Sequence, residues 1–202
     1  MKLNMNTPLS NNLTILNRTM KHRKPFFVEV SSAGGVDCVV KMPGSVNANT
    51  KICVAVHGIF RSPFQQVALL AEVAEKRNFV LVAPFFDKKT WRGYQQLKSS
   101  KKKNRADRAL MRSLHYIENL FSIPSQKIWM HGYSGGAQFA HRFAILHPDK
   151  VEAVVLGAAG WYTFPCYSTD FPLGLRKDQN KTFFDVIDPF GFINIKYLVA
   201  IG

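Results

Sequence analysis

The chain has few cysteines and no long apolar run. Its three cysteines are too few and too scattered for a disulfide framework or a zinc cluster. No apolar stretch reaches the roughly 18 residues that a membrane-spanning helix needs. The polar N-terminus lacks the apolar segment of a secretory signal, and we find no phosphate-binding glycine loop, nicotinamide fingerprint or metal-ligand cluster. We therefore expect a cytoplasmic protein whose chemistry needs no cofactor and no metal.

Acidic residues are also scarce, with 13 Asp and Glu against 27 Lys and Arg, which gives a net charge of +14. The basic residues concentrate in Lys21–Lys24, Lys88–Lys89 and Lys98–Arg105. Such a surface favours anionic partners, which include nucleic acid, acidic polymers and membranes. The alternative is a solvated loop and a charged tail. The densest run has no interleaved aromatic residues, which argues against a stacking platform for single-stranded nucleic acid.

Apolar periodicity predicts strands that alternate with helices. We expect residues 1–24 to form a flexible basic arm and residues 25–202 to form one domain, with a possible lid over residues 165–194. Alternation of this kind predicts a three-layer α/β/α sandwich with a mainly parallel sheet. The first two strands, which a short turn joins, should pair antiparallel. The predicted strands are Phe26–Val30, Val36–Met42, Lys51–His57, Phe79–Phe85, Lys127–His131, Val151–Leu156 and Ile195–Ile201. The predicted helices are Pro63–Arg77, Arg105–Phe121 (with Asn104 as its N-cap) and Gly136–His147.

Residues 132–136 read GYSGG, a G-x-S-x-G pattern between a predicted strand and a predicted helix. A serine at such a sharp turn is held in a strained backbone conformation, and glycines two residues before and after it let the turn close. The turn exposes the serine Oγ and directs the helix N-terminus towards developing negative charge. We predict Ser134 as a nucleophile and the Gly135 N–H as an oxyanion donor. The alternative is a glycine-rich turn with an incidental serine.

The loop after the strand Lys51–His57 is predicted to supply the second oxyanion donor, from Ile59 or Phe60. His57 should fix this loop and not act as a base. Trp161 and Tyr162 follow the strand after the elbow, on the side where open α/β sheets collect ligands. They are candidate substrate-binding residues, and the alternative is a hydrophobic plug. Trp91 and Tyr94 are predicted to share the same rim.

Four segments carry a resemblance to a known family. His57-Gly58, the GYSGG turn, the stretch GAQFAHRFAILHPDKV and the later AAGWYTFP resemble α/β-hydrolases of the polyhydroxybutyrate depolymerase and feruloyl esterase-like group. The resemblance covers about Lys51–Phe164. It implies the α/β-hydrolase fold and a serine hydrolase that acts on small-molecule or polymeric esters.

A serine nucleophile needs a histidine base and a carboxylate that orients it, and in this fold both follow the serine along the chain. Only His141 and His147 follow Ser134, and both lie on the helix below it. We therefore expect a C-terminally truncated hydrolase with an orphaned nucleophile and little or no activity. The alternative is a non-catalytic α/β-hydrolase-like protein that binds an anionic partner through its basic surface. The acids available after the elbow include Asp170, Asp178, Asp185 and Asp188.

Overall fold

The computed structural model describes residues 2–4, 24–100, 104–176 and 189–201 of the chain. Strands and helices alternate along it, and short 3₁₀ turns occur at Ser31–Ala33 and Tyr94–Gln96. The strands are β1 (Lys2–Asn4), β2 (Phe26–Glu29), β3 (Cys38–Lys41), β4 (Lys51–Val56), β5 (Phe79–Pro84), β6 (Ile128–Tyr133), β7 (Val151–Gly157) and β8 (Lys196–Ala200). The helices are α1 (Pro63–Lys76), α2 (Ala106–Phe121), α3 (Gly135–Leu146) and α4 (Pro189–Ile193).

The strands form one sheet in the order β1-β2-β3-β5-β4-β6-β7-β8. β3 runs antiparallel to both of its neighbours, and every other pair is parallel. The predicted antiparallel pairing of β2 with β3 and the mainly parallel sheet are therefore confirmed. The structure differs from the prediction at β1. Lys2–Asn4 pair with β2, although they lie within the segment predicted as a flexible arm. The rest of that arm, residues 5–23 with the basic Lys21, lies outside the described residues.

Helices cover both faces of the sheet, which confirms the three-layer arrangement. On one face, α2 and α3 bury the larger core, in which side chains such as Leu110, Ile117 and Phe139 pack against strand residues Val54 and Met130. On the other face, α1 buries a smaller core; its members include Val39, Ala55, Val67, Ala74, Leu81 and Ala83. The strand residues of the two cores alternate along the same strands, because successive strand side chains point to opposite faces.

Helices α1 and α2 differ in how they begin. The Ser62 hydroxyl accepts a hydrogen bond from the N–H of Gln65 and caps α1, whose first residue is Pro63. The prediction that Asn104 caps α2 is wrong. Arg105 occupies the cap position without a side-chain cap, and the Asn104 side chain accepts a hydrogen bond from Arg112 instead. The guanidinium of Arg112, about two helical turns further along the chain, takes the amide oxygen that a cap would use.

The segment after β7 is clamped onto α3 by Arg142, which is almost fully buried. Its Nε donates to the Thr163 hydroxyl at 2.9 Å, a terminal nitrogen donates to the Gln95 carbonyl, and its guanidinium lies over the ring of Phe171. The first part of the predicted lid, residues 165–176, therefore lies against the domain. The rest of the predicted lid up to residue 188, with Asp178, Asp185 and Asp188, lies outside the described residues. In the part of the chain that the structure describes, no helix is both long and apolar enough to cross a bilayer.

Candidate active site

Ser134 stands at the sharp turn between β6 and α3, with φ 53° and ψ −118°. A positive φ is strained for a residue other than glycine, and such strain concentrates at functional sites. The Ser134 N–H donates to the Gly157 carbonyl at 2.9 Å, which ties the turn to the end of β7. Its side chain makes no cap hydrogen bond to α3. The hydroxyl is therefore not committed to stabilising the helix.

The two glycines that flank Ser134 are required by the close approach of backbone atoms. A Cβ on Gly132 would lie 2.3 Å from the Gly136 carbonyl oxygen, and one on Gly136 would lie 2.1 Å from the Val56 carbonyl oxygen. Real Cβ atoms do not come this close to backbone. The turn predicted from G-x-S-x-G is thus formed with the glycine contacts that the pattern implies.

The predicted oxyanion donors come from two neighbouring segments. Gly135 is the first residue of α3, and the first N–H groups of a helix have no intrahelical partner. The Arg61 N–H donates to the Gly58 carbonyl at 3.1 Å and closes a turn with Ile59 and Phe60 at its centre. The Ile59 side chain comes within 3.9 Å of the position that a Cβ on Gly135 would occupy, whereas Phe60 is 90% exposed. Ile59 therefore lies against the elbow, and Phe60 projects from the rim.

Aromatic side chains support this turn from below. The Tyr94 hydroxyl donates to the His57 carbonyl at 2.8 Å, and its ring stacks on Phe86 at a centroid distance of 5.0 Å. Trp91 and Tyr94 are only 4% and 1% exposed, so their predicted place at the rim is wrong. A buried tyrosine is tolerated because its hydroxyl finds a partner, and here that partner is the strand end that leads into the loop.

His57 fixes the loop, as expected. Its Nε2 accepts a hydrogen bond from the Phe86 N–H at 3.1 Å, so its Nδ1 carries the proton and donates to the Gly58 carbonyl at 2.9 Å. Burial lowers the pKa of His57 to about 4, although the hydrogen bond to Gly58 opposes this shift. Both nitrogens of a neutral imidazole are thus engaged with backbone, which leaves none to accept a proton from Ser134.

The two histidines that follow Ser134 are also engaged elsewhere. His141 Nε2 bonds to the Thr163 carbonyl at 2.7 Å, and His147 Nε2 bonds to Asp107 at 2.9 Å. Burial lowers the pKa of His141 to about 4. Asp170, the described member of the candidate acids, forms a bidentate pair with Arg176. Within the described residues, the Ser134 hydroxyl has no hydrogen bond to a histidine or a carboxylate.

Ser134 opens into a cavity of about 550 Å³ between the elbow, the loop after β4 and the first half of α1. Two contributions to this cavity were not predicted from the sequence, namely those of α1 and of His131 on β6. No periodicity could have indicated them, because the cavity depends on the gap between a helix and a strand that are distant in sequence. Its lining residues include Gly58, Ile59, Phe60, Gln66, Leu69, His131, Tyr133 and Ala158.

Trp161 and Tyr162, the predicted substrate-binding residues, do not line this cavity. Trp161 is half-exposed, and the Tyr162 ring packs edge-on against His141 at 5.3 Å. The backbone reverses at Ala158, where φ is 46° and the N–H donates to the Ala200 carbonyl. The chain after Ala158 runs towards α3, where Tyr162 contacts His141. Neither aromatic residue therefore contributes to the wall of the cavity.

We expect the free energy of unfolding of the Tyr94→Phe variant to be about 1 kcal/mol lower than that of the parent chain. The variant loses the hydrogen bond to the His57 carbonyl and leaves that acceptor unpaired. Urea unfolding followed by circular dichroism measures the difference. Tyr116→Phe on α2 is the control, since its hydroxyl makes no hydrogen bond to the residues that the structure describes. Equal losses in the two variants would contradict the role assigned to Tyr94.

Comparison with known proteins places the fold. No family model and no curated protein matches the chain. Among solved structures, the poly(3-hydroxybutyrate) depolymerase LpqC from Bordetella parapertussis is similar over 96% of this chain and 70% of its own, with a TM-score of 0.72 and 18% identity. The poly(aspartic acid) hydrolase-1 from Sphingomonas sp. KT-1 is similar over 87% and 69%, with a TM-score of 0.65 and 18% identity. The fluorophosphonate-binding serine hydrolase F of Staphylococcus aureus is similar over 81% and 72%, with a TM-score of 0.55 and 13% identity.

Proposed function

Because the chain has the α/β-hydrolase fold, we propose that it is a serine hydrolase for carboxylic esters with Ser134 as its nucleophile. The observation that carries the proposal is the strained Ser134 backbone beside a cavity, with a hydroxyl that the helix cap does not use. The solved structures of similar fold include a depolymerase and a serine hydrolase, which supports the same chemistry.

In the proposed reaction, Ser134 Oγ attacks the ester carbonyl carbon and its proton passes to solvent water, since no described base accepts it. The carbonyl oxygen becomes an oxyanion, and the N–H groups of Gly135 and Ile59 are the proposed donors to it, with Phe60 as the other candidate from the same turn. The N-terminal end of α3 adds a favourable dipole. The tetrahedral intermediate then collapses, the ester C–O bond breaks, and the departing alcohol takes a proton from water. No cofactor takes part in these steps, and the substrate is a small-molecule or polymeric ester.

We further propose that turnover by this chain is slow or absent. Ser134 lacks a hydrogen-bonded base among the described residues, and an unassisted serine hydroxyl is a weak nucleophile. An oxyanion hole and substrate binding alone still accelerate acyl transfer about 10³–10⁴-fold over water. Ser134 should therefore react slowly and measurably with an electrophile that needs no leaving-group protonation.

Fluorophosphonate labelling tests this proposal directly. We expect covalent labelling over hours, located at Ser134 by peptide mass spectrometry and abolished in Ser134→Ala. Ser62→Gly is the matched control, because Ser62 lines the same cavity and glycine replaces a capping serine at a loss of only a few tenths of a kcal/mol. It should label like the parent chain. Rapid hydrolysis of p-nitrophenyl esters that Ser134→Ala abolishes would refute the slow-turnover proposal.

The second candidate is a non-catalytic binding protein for an anionic partner, which the net charge of +14 favours. Two of its basic runs, Lys21–Lys24 and Lys98–Arg105, lie partly outside the described residues. Within the described part, Arg105 is paired with Asp107 and is not available to a partner. Absence of labelling, together with salt-sensitive retention on heparin, would favour this candidate over the hydrolase.

A further inference from the structure

Arg61 brings a positive charge into the wall of the Ser134 cavity. Its Nη1 donates to the carbonyls of Phe86 and Trp91, and its Nη2 donates to that of Arg92 at 3.4 Å. These acceptors are neutral, so they hold the guanidinium in place without cancelling its charge. Among the described residues, no carboxylate forms an ion pair with Arg61, and its Nε has no hydrogen-bond partner.

The rest of the cavity wall adds no charge to that of Arg61. Of the residues that the structure describes, no aspartate, glutamate or lysine lines the cavity. The two histidines in the lining are neutral at pH 7, because burial lowers the pKa of His57 to about 4 and that of His131 below its ordinary value of 6.5. The lining therefore carries a single formal charge, which is positive, and a cleft of this kind concentrates ions of the opposite sign.

Gln66 adds hydrogen-bond donors to the same wall. The residue is only 7% exposed, and its Oε1 is buried without a hydrogen-bond partner in the described part of the chain. Its Nε2 makes no hydrogen bond to a described residue either, so two N–H groups are free to pair with a ligand. A carboxylate accepts hydrogen bonds and donates none, which suits these donors. An ammonium group would instead meet the charge of Arg61 and no acid.

We propose that the Ser134 cavity selects a ligand that carries a carboxylate, with Arg61 as the residue that selects it. The charge of Arg61 attracts the carboxylate, and the Arg61 Nε–H and the Gln66 amide are the donors for its oxygens. A phosphate monoester is a poorer match, because it brings about 1.5–2 negative charges to a lining with one cation. The identification of the ligand as a half-ester of a dicarboxylic acid rests on the proposed function, whereas binding of the carboxylate does not.

Three methyl esters of similar length test this selection in the Ser134→Ala chain, which lacks the nucleophile. Monomethyl succinate carries a carboxylate, methyl succinamate has a neutral amide in its place, and the methyl ester of γ-aminobutyrate carries an ammonium group. Titrations followed by NMR give the dissociation constants. At low ionic strength, we expect monomethyl succinate to bind about fivefold more tightly than methyl succinamate, and the ammonium ester to bind most weakly. Equal affinities for the succinate and succinamate esters would overturn the proposal.

Two substitutions in the same background separate Arg61 from the net charge of +14. Arg61→Gln removes the charge from the lining and should abolish the preference for the carboxylate. Arg92→Gln is the matched control, because the Arg92 side chain is exposed and lines no part of the cavity, and it should keep the preference. The same preference in both variants would assign it to the overall charge of the chain and would contradict the role of Arg61.

A substitution at Gln65 leaves Arg61 and its contacts intact. Gln65 lines the cavity from an exposed position of α1, three residues after the Ser62 cap. Glutamate is favoured at this helix position, where it forms a capping box with a serine cap. Gln65→Glu should therefore fold like the parent, and the acid that it adds to the lining should remove the preference for monomethyl succinate. A preference that persists undiminished in Gln65→Glu would show that the carboxylate does not bind in this cavity.

The selection of a carboxylate and the chemistry of Ser134 fail separately. A preference that depends on Arg61, in a chain that fluorophosphonate never labels, would support the carboxylate site and refute the hydrolase. A labelled Ser134 in a chain that binds the three esters equally would do the reverse.

Discussion

Replacement of Gly136 by alanine is expected to remove both the elbow and the reactivity of Ser134. The added Cβ would lie 2.1 Å from the Val56 carbonyl oxygen and 2.7 Å from the His57 carbonyl oxygen. Neither atom can move freely, because β4 pairs with β5 on one side and with β6 on the other. Relief of the overlap requires α3 to shift away from the sheet. We expect a loss of more than about 3 kcal/mol in the free energy of unfolding, which is at the upper end for overpacked sites.

The measurement pairs thermal unfolding with fluorophosphonate labelling of the folded fraction. Gly160→Ala is the matched control, because its added Cβ would approach only the terminal amide nitrogen of Gln138, at 3.3 Å, and that side chain can yield. The control should unfold close to the parent and label at the parental rate. A Gly136→Ala chain with parental stability and labelling would mean that the backbone contact beneath Ser134 does not exist.

The elbow was predictable because its determinants are local. A serine between two fixed glycines, after an apolar strand and before a helix, leaves few backbone solutions, and the observed φ of 53° at Ser134 is the strained one that the pattern implies. The buried central strands were predictable for a related reason. A nearly continuous apolar run such as β4 or β5 suits a strand that is covered on both faces.

Features that depend on packing between distant segments were not predictable in the same way. Trp91 and Tyr94 stand in a basic, loop-like stretch. Both rings pack against Phe86, and the Tyr94 hydroxyl donates to the His57 carbonyl; no local pattern encodes these contacts. β1 is three residues of mixed polarity, and only its partner β2 makes it a strand. The cavity beside Ser134 likewise needs α1 and His131 at a particular separation, which the sequence leaves open.

The second large effect is expected at Asp107, a fully buried carboxylate that joins the start of α2 to the end of α3. It accepts hydrogen bonds from Arg105 at 2.5 and 3.0 Å and from His147 at 2.9 Å. Removal of one partner from a buried ion pair costs about 3–5 kcal/mol, because the remaining charge stays desolvated. We expect Asp107→Asn to lose stability of this order at pH 7, measured by urea unfolding.

The same carboxylate should make the fold sensitive to acid. Burial alone would raise the pKa of Asp107, but the hydrogen bonds from His147 and Arg105 outweigh it and lower the pKa from 3.8 to about 2. A depressed pKa stabilises the fold above pH 4, and about 2 kcal/mol of that stability is lost as the pH falls from about 4 to 2. The difference in the free energy of unfolding between the parent and Asp107→Asn should therefore narrow across this window.

Asp170→Asn is the control, because Asp170 has a similar bidentate arginine partner but lies on the exposed surface. This substitution should change neither the stability at pH 7 nor its acid dependence measurably. If the free energies of unfolding of the parent and of Asp107→Asn differed by the same amount from pH 6 to pH 2, the charge of Asp107 would not hold α2 and α3 together.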